Sequence, residues 1–568
     1  MPTGAIGVGT RTPASSAWTG QPGIKGQSES IRMAYLTASI VGVQFTWGVE
    51  MSYCTPYLLQ LGMSKSLVSL VWIAGPLSGL VMQPVVGVLA DQSQSKWGRR
   101  RPFMVGGAVI VSVFLLILGW AEELVSLFVA SPDLKRKVTI TLAVLCIYAI
   151  DFAINSGKSS PCRLTWHTIV QASGRGLIVD VLPTSKQQLG SAWATRMVAV
   201  GSLIGHGCGA VDLGAIFGTT LGDTQFKQLI VVATIALLTC TGITCWAVSE
   251  KVYEGKEVGG TGALGMFAQL IRTTVNLPPR IAAICVVQFW AWIGNANLFK
   301  GYFPFMFYSS TWVGEIYKRY DLPKGAQQSA DALGEIGRLG SLSLIIFSTI
   351  TFVGSVVLPA VVRKPDDEKP EFTPRPPPGL ARVVEVFEKK KPSLPAAWTL
   401  SHVVFSCSMI LAPLAKSYRY ATTIVAINGI SWAIACWAPF SLMGEEINRL
   451  AGSEKSGAGY RRVSGSDLEL AGGESSKGGA HGSSGEMSGV YLGILNLFTT
   501  LPQFVGTFIS WVVFSVLEPG KSPELSKEAH PSEHHARDGP NAIAVCLFIG
   551  ALSAGVAAYA TNRLRHEE

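Results

Sequence analysis

The sequence predicts an all-α integral membrane protein with about twelve transmembrane helices, arranged as two six-helix halves. Composition is the first observation: of the 568 residues, 48% are hydrophobic and only 15% are charged, which is too apolar for a soluble globule of this size. The second is a series of long apolar runs with few charges, each able to cross roughly 30 Å of hydrocarbon. The third is a weak sequence repeat between the first and the seventh of these runs.

Twelve runs have the length and apolar character of a membrane span, namely residues 34–54, 67–90, 102–120, 138–156, 188–216, 227–248, 281–308, 338–362, 396–414, 420–443, 489–516 and 541–561. An even number of spans predicts that both termini are cytoplasmic. The basic loops agree with the positive-inside bias, since the cytoplasmic ones on this count include 99–101, 251–280, 363–391 and 461–462. Residues 133–137, with three cations, fall outside and depart from that bias.

Composition also excludes several classes of function. A formal net charge of +9 is compatible with a nucleic-acid partner, but most cations lie in loops between spans, so membrane topology explains them better. The ten cysteines show no paired spacing typical of a metal site. The sequence has no phosphate-binding loop, nucleophile elbow or intramembrane histidine cluster. We therefore expect no enzyme activity, no cofactor and no nucleic-acid partner.

Changes in composition divide the chain into segments. The first residues are rich in Gly, Ser, Thr and Pro, which is typical of disorder. The predicted segments are a disordered cytoplasmic tail (1–31), an N-terminal six-helix bundle (32–250), a cytoplasmic linker (251–280), a C-terminal six-helix bundle (281–562) with flexible loops at 363–395 and 449–488, and a C-terminal tail (563–568).

A dense cationic loop, residues 87–102, separates the second and third runs. Asp91 lies where a helix ends and can pair with an Arg of its own loop or of a neighbouring helix, while Gly98 allows a tight turn. Composition alone favours a loop that only fixes the orientation in the membrane. As an alternative, an ion pair of Asp91 with Arg99 and Arg100 would latch the cytoplasmic side and break on opening.

The first and seventh runs share a short pattern. Residues 43–48 read Val-Gln-Phe-Thr-Trp-Gly and residues 287–294 read Val-Gln-Phe-Trp-Ala-Trp-Ile-Gly, each followed by a Pro with aromatic neighbours. A repeat of two halves places the substrate site between them at mid-membrane. Aromatic rings stack on the apolar face of a sugar while Gln bonds its hydroxyls, so Gln44, Trp47, Gln288 and Trp292 would suit a sugar site. An interfacial aromatic belt explains Trp47 equally well.

Two acidic residues within these runs, Glu50 and Asp151, are candidates for function. Glu50, one turn after Trp47, either faces the same cavity or is solvated at the outer end, and its position favours solvation. Asp151 lies well inside the fourth run, roughly 20 Å along the helix. A carboxylate there costs several kcal/mol and needs a partner, a proton or an aqueous cavity, unless it lies at the helix end or reaches the surface. A buried Asp151 meets the requirement for proton coupling, because it can gain and lose a proton as the cavity opens to each side.

These motifs resemble a known family. Residues 87–91, Gly-x-x-x-Asp, and residues 96–100, Lys-x-Gly-Arg-Arg, are together similar to the signature loop of the major facilitator superfamily. Their spacing and the closing Arg-Arg-Arg-Pro resemble one branch, the sucrose and glycoside proton symporters. The resemblance extends from residue 32 to residue 560, apart from the flexible loops at 363–395 and 449–488. It implies a twelve-helix fold, alternating access and coupling of sugar uptake to protons.

The resemblance also implies roles for single residues. In that family an Asp in the fourth span is followed one turn later by a small or amide residue and then by Arg-x-Leu-x-x-Asp. Asp151, Asn155 and the run from Arg175 to Asp180 are similar to this pattern. The resemblance therefore implies that Arg175 pairs with a proton-linked Asp151 and that Asn155 contacts the substrate, with a plain loop cation as the alternative for Arg175. After the seventh run, only Glu315 of the family's charged residues is present.

The chain departs from that family at two polar segments, 156–169 and 295–301. They lie where relatives continue an uncharged helix, so they interrupt helices four and seven and put transport by this chain in doubt. We predict a proton-coupled symporter of sucrose- or maltose-type α-glucosides, whose partners are a disaccharide, protons and the lipid bilayer. The plasma membrane is the expected location, with a vacuolar or other endomembrane as the alternative. An uncoupled sugar facilitator or sensor, and a membrane scaffold or defective splice product without transport, stay open.

Overall fold

The computed structural model is mostly helical, as the all-α prediction requires. It describes residues 18–19, 23–80, 95, 97–98, 100–155, 174, 177–178, 181–183, 186–250, 252–253, 271–292, 302–322, 331–363, 391–458, 484–522, 525 and 541–566.

The N-terminal half starts with two short strands and continues as helices. Its elements are β1 (Trp18–Thr19), β2 (Gly23–Ile24), α1 (Glu29–Val49), a π-helical segment (Glu50–Cys54), α2 (Thr55–Gln60), α3 (Lys65–Val71, with further helical residues to 80), α4 (Arg101–Gly119), α5 (Ala121–Ser126), α6 (Pro132–Asn155), α7 (Gln187–Ala210), α8 (Leu213–Phe217), α9 (Gln225–Ala247), β3 (Val248–Ser249) and β4 (Val252–Tyr253).

The regular elements of the C-terminal half are all helical among its described residues. Its elements are α10 (Pro279–Trp292), α11 (Phe303–Ile316), a second π-helical segment (Tyr317–Asp321), α12 (Ala332–Val361), α13 (Leu394–Ile410), a 3₁₀ turn (Ala412–Leu414), α14 (Tyr418–Ala458), α15 (Ser484–Leu517) and α16 (Ala542–His566).

Eight of the described helices are long and apolar enough to cross a membrane, and each overlaps a predicted span. They are α4, α6, α9 and α12 to α16. The other four predicted spans correspond to α1, to α3, to α7, and to α10 together with α11. These helices are shorter, interrupted or more polar than the eight. The fold is a helical membrane bundle, and the total of twelve spans stays a prediction.

The helices pack mainly within their own halves. In the N-terminal half α1 packs against α7 and α9, while in the C-terminal half α13 packs against α14 and α16. The most extensive helix pairs between the halves are α3 with α15 and α7 with α12. We use "outer end" for the end of the bundles that carries the loop between α2 and α3, which the predicted topology places outside the cytoplasm.

The prediction of a disordered tail over 1–31 is wrong for part of that segment. Strand β1 pairs with β4, and β2 pairs with β3 just after α9. The backbone N–H of Lys25 donates to Ala247 O at 2.9 Å, and its ammonium lies 4.2 Å from the centre of the Trp246 ring. Backbone pairing and this cation–π contact order the residues, in spite of their polar composition.

Other predicted boundaries also need correction, because helices extend beyond the apolar runs. The flexible loop predicted at 449–488 is helical at both ends, since α14 continues to Ala458 and α15 begins at Ser484. The short C-terminal tail is helical to His566. Glu, Arg and Lys favour helix even where they are too polar to remain in hydrocarbon.

The departure from the positive-inside bias at 133–137 has a structural reason. The Arg136 guanidinium donates to the carbonyl oxygens of Leu61 and Gly62, at 3.1 and 2.9 Å. These carbonyls follow the end of α2, where they lack helical partners. Arg136 therefore caps the loop between the first two spans, and this contact stabilises a cation on the outer side.

The break between α10 and α11 preserves helical register. The backbone N–H of Tyr302 donates to Ala291 O at 3.3 Å. Without the seven residues 295–301, Tyr302 would take position 295, four residues after Ala291, which is the spacing of an α-helical hydrogen bond. This register supports the prediction that 295–301 is an insertion in an otherwise continuous seventh helix. The other predicted insertion, 156–169, lies outside the described residues.

Candidate functional site

Two carboxyl groups lie inside the N-terminal bundle. Asp151, near the end of α6, is 3% exposed, and Glu50, where α1 widens into a π-helix, is also 3% exposed. The expectation that Glu50 is solvated is therefore wrong. The same burial excludes a surface position for Asp151. π-Helical segments within helices are frequent at functional sites.

The two carboxyl groups are close enough to interact electrostatically. Neither carboxylate oxygen of Glu50 has a hydrogen-bond partner among the described residues. Asp151 faces the second span, because a Cβ built at Gly75 would lie 4.0 Å from its Oδ2. Two carboxylates in one buried site cannot both ionise without a large electrostatic cost. The pair is therefore chemically suited to hold a proton.

Gln44 lies in a polar contact between α1 and α7. Its Oε1 accepts a hydrogen bond from Ser202 Oγ at 3.4 Å. One turn further along both helices, the His206 ring lies against Gly48, and His206 Nδ1 is hydrogen-bonded to Ser348 Oγ of α12 at 3.0 Å. Sequence reasoning missed His206, although a single histidine inside an apolar run was a usable signal.

The predicted residues of the seventh span lie in the C-terminal bundle. Gln288 is buried and donates through Nε2 to Thr499 Oγ1 of α15 at 3.1 Å. The Trp292 ring is half-buried and lies 6.0 Å from Trp432, centre to centre. Trp47, on α1, is half-buried against the main apolar core. Among the described contacts, none joins Gln44 directly to Gln288, so each amide is placed by its own bundle.

A buried ionic cluster joins the halves at the outer end. Lys65 Nζ lies 2.7 Å from a carboxylate oxygen of Glu315 and 2.5 Å from Glu518 Oε2. Arg319 donates to Glu518 Oε1 at 2.8 Å, and Asn541 donates to Glu315 at 3.1 Å. We call these five residues the outer ionic cluster. Only Glu315 was predicted, and the resemblance rather than the spacing indicated it.

Electrostatics hold Glu518 in its ionised form. Glu518 is one residue beyond the end of α15, and burial opposes its ionisation. The nearby positive charges of Lys65 and Arg319 outweigh that effect and lower the pKa of the Glu518 carboxyl to about 2. The carboxylate also accepts the backbone N–H of Ala542 at 3.1 Å, at the start of α16.

Further contacts close the outer end between the halves. Thr55 donates to Phe307 O at 3.3 Å, and Ser310 donates to Met51 O at 3.0 Å. At the opposite end, the Arg280–Glu446 ion pair of 3.7 Å lies within the C-terminal bundle. The contacts of Thr55 and Ser310 and the outer ionic cluster, all of which join the two halves, therefore lie toward the outer end.

The cationic loop before α4 is held by Glu250. This carboxylate accepts the backbone N–H groups of Arg100 and Arg101 at 2.7 and 2.9 Å, which places a negative charge at the helix N-terminus. Gly98 has φ of +106°, and a Cβ there would meet Glu250 at 2.9 Å. Sequence reasoning missed Glu250. Asp91, Arg99 and Arg175 lie outside the described residues, as does the side chain of Asn155.

Comparison with known proteins identifies the chain's family. Residues 36–160 match the family model described as MFS/sugar transport protein. The chain is 32% identical over 589 aligned residues to the general alpha-glucoside permease of Schizosaccharomyces pombe, covering 94% of this chain and 93% of that protein. It is 26% identical to the sucrose transport protein SUT5 of Oryza sativa subsp. japonica, covering 62% of this chain and 65% of that protein.

Solved structures have the same fold. A bacterial homolog of the human lysosomal transporter Spinster, in an inward-facing conformation, aligns over 96% of this chain and 99% of its own, with a TM-score of 0.51 at 14% identity. A D-xylose-proton symporter aligns over 93% and 97%, with a TM-score of 0.50 at 12% identity. Identity over nearly the full length of the permease, together with this fold, establishes that the chain belongs to the MFS family of sugar transport proteins.

Proposed function

We propose that this protein is a proton-coupled symporter of sucrose- or maltose-type α-glucosides that works by alternating access. The observation that carries the coupling is the pair of buried carboxyl groups, Glu50 and Asp151, inside a sugar-transporter bundle. The named activities of its relatives, an α-glucoside permease and sucrose transport proteins, support the substrate class.

In this proposal Asp151 takes the proton that drives uptake, and Glu50 shares its environment. One proton on the pair removes the repulsion between two carboxylates, while loss of that proton requires a cation or water nearby. Arg175 is proposed to supply the cation, because an Arg stays charged and favours the ionised form of a carboxylate that it approaches. Protonation of Asp151 then depends on the side of the membrane to which the bundle is open.

The sugar path is proposed to run between the bundles. Gln44 and Asn155 would bond sugar hydroxyls from the N-terminal half, and Gln288 would do so from the C-terminal half. Trp47 and Trp292 would stack on the apolar faces of the two rings. Two aromatic and amide sets in different halves suit a disaccharide, since each half then holds one ring.

Two gates are proposed to alternate. The outer ionic cluster closes the outer end, and its ion pairs must separate when the halves part there. Asp91 with Arg99 and Arg100 is proposed to form the cytoplasmic latch, and Glu250 fixes the backbone beside that latch. Residues 251–280 are likewise proposed to form the linker between the two halves, which move relative to each other.

The test is uptake of labelled sucrose and maltose in a host that lacks its own transporters. We expect faster uptake at acidic than at neutral external pH, and accumulation that collapses with a protonophore. Uptake that depends neither on external pH nor on the protonophore would instead establish a facilitator. Surface labelling of the expressed protein tests the proposed location in the plasma membrane against an endomembrane.

A second candidate, a chain that keeps the fold but does not transport, is favoured by one observation. The hydrogen bond from Tyr302 to Ala291 supports an insertion at 295–301 within a helix of the proposed transport path. Absence of uptake by the full chain, with recovery in a variant lacking 156–169 and 295–301, would support this candidate. Binding of sugar without uptake by either version would support a sensor.

A further inference from the structure

His206 lies at the junction of three helices and has no role in the proposed proton site. It is 7% exposed on α7, and its ring contacts both α1 and α12. Ser348, its partner on α12, belongs to the other half of the molecule and is 4% exposed. A polar ring buried in a membrane bundle is costly and commonly marks a substrate or ion pathway.

Two matched contacts position the ring. Gln44 and Gly48 are four residues apart on α1, and Ser202 and His206 are four residues apart on α7, so each pair lies on one helical face. Gln44 meets Ser202 at 3.4 Å. One turn further on, Gly48 meets the imidazole, and a Cβ built at 48 would lie 3.6 Å from both Cδ2 and Nε2 of His206.

The hydrogen bond from His206 to Ser348 crosses between the halves. The pair α7 and α12 is one of the two main helix contacts that join the bundles. Separation of the bundles at the outer end would break the bond between His206 Nδ1 and Ser348 Oγ, which is 3.0 Å long here. The imidazole would then present a nitrogen toward the gap, next to Gln44 and Ser202, and would need a new partner.

We propose that His206 binds a hydroxyl group of the sugar and determines which α-glucoside is preferred. This inference rests on the proposed function, since it deepens the same sugar path. A neutral imidazole provides one N–H donor and one ring-nitrogen acceptor, which fits a neutral polyol. The imidazole donor and acceptor lie on the same face of α7 as Ser202, so they would bind hydroxyl groups of a single sugar ring.

The experiment compares His206→Leu, His206→Gln and Ser348→Ala with the full chain. We expect His206→Leu to raise the KM about tenfold for the sugar that the wild type prefers, sucrose or maltose, because an unpaired sugar hydroxyl is penalised. The KM for the less preferred sugar should rise less. His206→Gln keeps an amide that bonds hydroxyls and should recover part of the loss. Ser348→Ala removes only the partner in the closed state, so its two KM values should stay within about threefold.

His402→Leu is the matched control. His402 is also buried within the membrane bundle, at 0% exposed, but it lies among aromatic rings of the C-terminal half. Its loss should leave the ratio of the two KM values unchanged. If His206→Leu lowers maximal uptake but leaves both KM values and their ratio at the wild-type level, the proposal is overturned and His206 is a packing residue.

A binding measurement separates this proposal from the proposed function. Purified wild-type protein is melted with and without 10 to 100 mM sucrose or maltose, and so is His206→Leu. Sugar that stabilises the wild type but not the variant supports the contact even if the chain transports nothing. Equal stabilisation of both proteins overturns it even if the chain transports sugar. Absence of stabilisation and of uptake in the wild type overturns both.

Discussion

Lys65 of α3 and Glu518 at the end of α15 form a buried ion pair between the two helix bundles, with 2.5 Å between Nζ and Oε2. Their side chains are only 5% and 3% exposed. Separation of such a pair leaves each charge poorly solvated, which costs more than separation of an exposed pair. The pair therefore contributes directly to the free-energy difference between the outer-closed state and an outer-open state.

Replacement of Lys65 by Met should favour opening of the outer end. The change removes the Lys65 charge from beside the buried carboxylates of Glu315 and Glu518, which destabilises the closed state by several kcal/mol. Cys54 is 3% exposed in the closed state and precedes Thr55, whose hydroxyl bonds Phe307 O of the other half, so its labelling tests for opening. We expect Lys65→Met to increase labelling of Cys54 by an impermeant maleimide at least fivefold in whole cells.

Two controls make that labelling specific. The additional change Cys54→Ser should remove the increase, which assigns the signal to this thiol. Lys186→Met removes an exposed lysine that pairs with Glu29 within the N-terminal half, and it should leave labelling unchanged. Equal labelling of Cys54 in Lys65→Met and wild type would show that the ion pair does not hold the gate.

Stability should depend on pH through Glu518. Its folded-state pKa is lowered from 4.5 to about 2, so its stabilising effect is complete above pH 4.5 and is lost as pH falls toward 2. The shift corresponds to about 3 kcal/mol. Melting of purified wild type and Glu518→Gln should therefore differ most above pH 4.5 and converge below it. A difference that stays constant from pH 6 to pH 3 would contradict this assignment.

Sequence reasoning found the features that are local in the chain. Apolar runs located the helices, and one carboxylate inside an apolar run identified Asp151, which is buried as expected. Glu50 was misjudged because the first helical segment continues as a π-helix and then α2 to Gln60. The run appeared to end at residue 54, which placed Glu50 too close to the outer surface.

Long-range pairs could not be predicted in this way. Lys65 and Glu518 are 453 residues apart in sequence, and nothing near either residue indicates its partner. Glu250 and Arg100 are 150 residues apart. His206 gave a signal, since it is a polar ring in an apolar run, but its contact with Gly48 depends on how α1 and α7 cross.

Neutralisation of the buried carboxyl groups should separate coupling from sugar binding. Asp151→Asn keeps the shape but removes the proton site, so accumulation against a gradient should fall at least tenfold. Exchange of labelled for unlabelled sugar across the membrane should persist, because it needs no net proton movement. Glu50→Gln should weaken the acid stimulation of uptake, since it removes the electrostatic effect of one carboxyl on the other.

The comparison with Glu123→Gln controls for loss of an acidic residue as such. Glu123 lies outside the apolar core on α5 and is half-exposed, with Lys227 as its partner, so its replacement should leave pH dependence unchanged. The assignment of coupling to Asp151 fails if Asp151→Asn still accumulates sugar in a protonophore-sensitive way. It also fails if sugar exchange and accumulation are lost together while the purified variant no longer binds sugar.

Deletion of residues 295–301 should restore a continuous seventh helix. The backbone N–H of Tyr302 already donates to Ala291 O, which is the bond that a residue four positions after Ala291 makes in an α-helix. Removal of seven residues would place Tyr302 at that position, so the register of α11 relative to α10 is preserved. We expect the shortened protein to melt at a higher temperature than the full chain and to take up sugar at least as fast. The reason is that an interruption in a buried helix leaves backbone groups that need other partners.

Deletion of 295–300 is the matched control, because it removes six residues and shifts Tyr302 by one position. One residue rotates a helix by about 100°, which would turn the buried Tyr302 and Phe303 away from their present contacts. This variant should melt at a lower temperature than the seven-residue deletion and transport several-fold more slowly. Equal stability and uptake of the two deletions would show that the register across the break has no structural role.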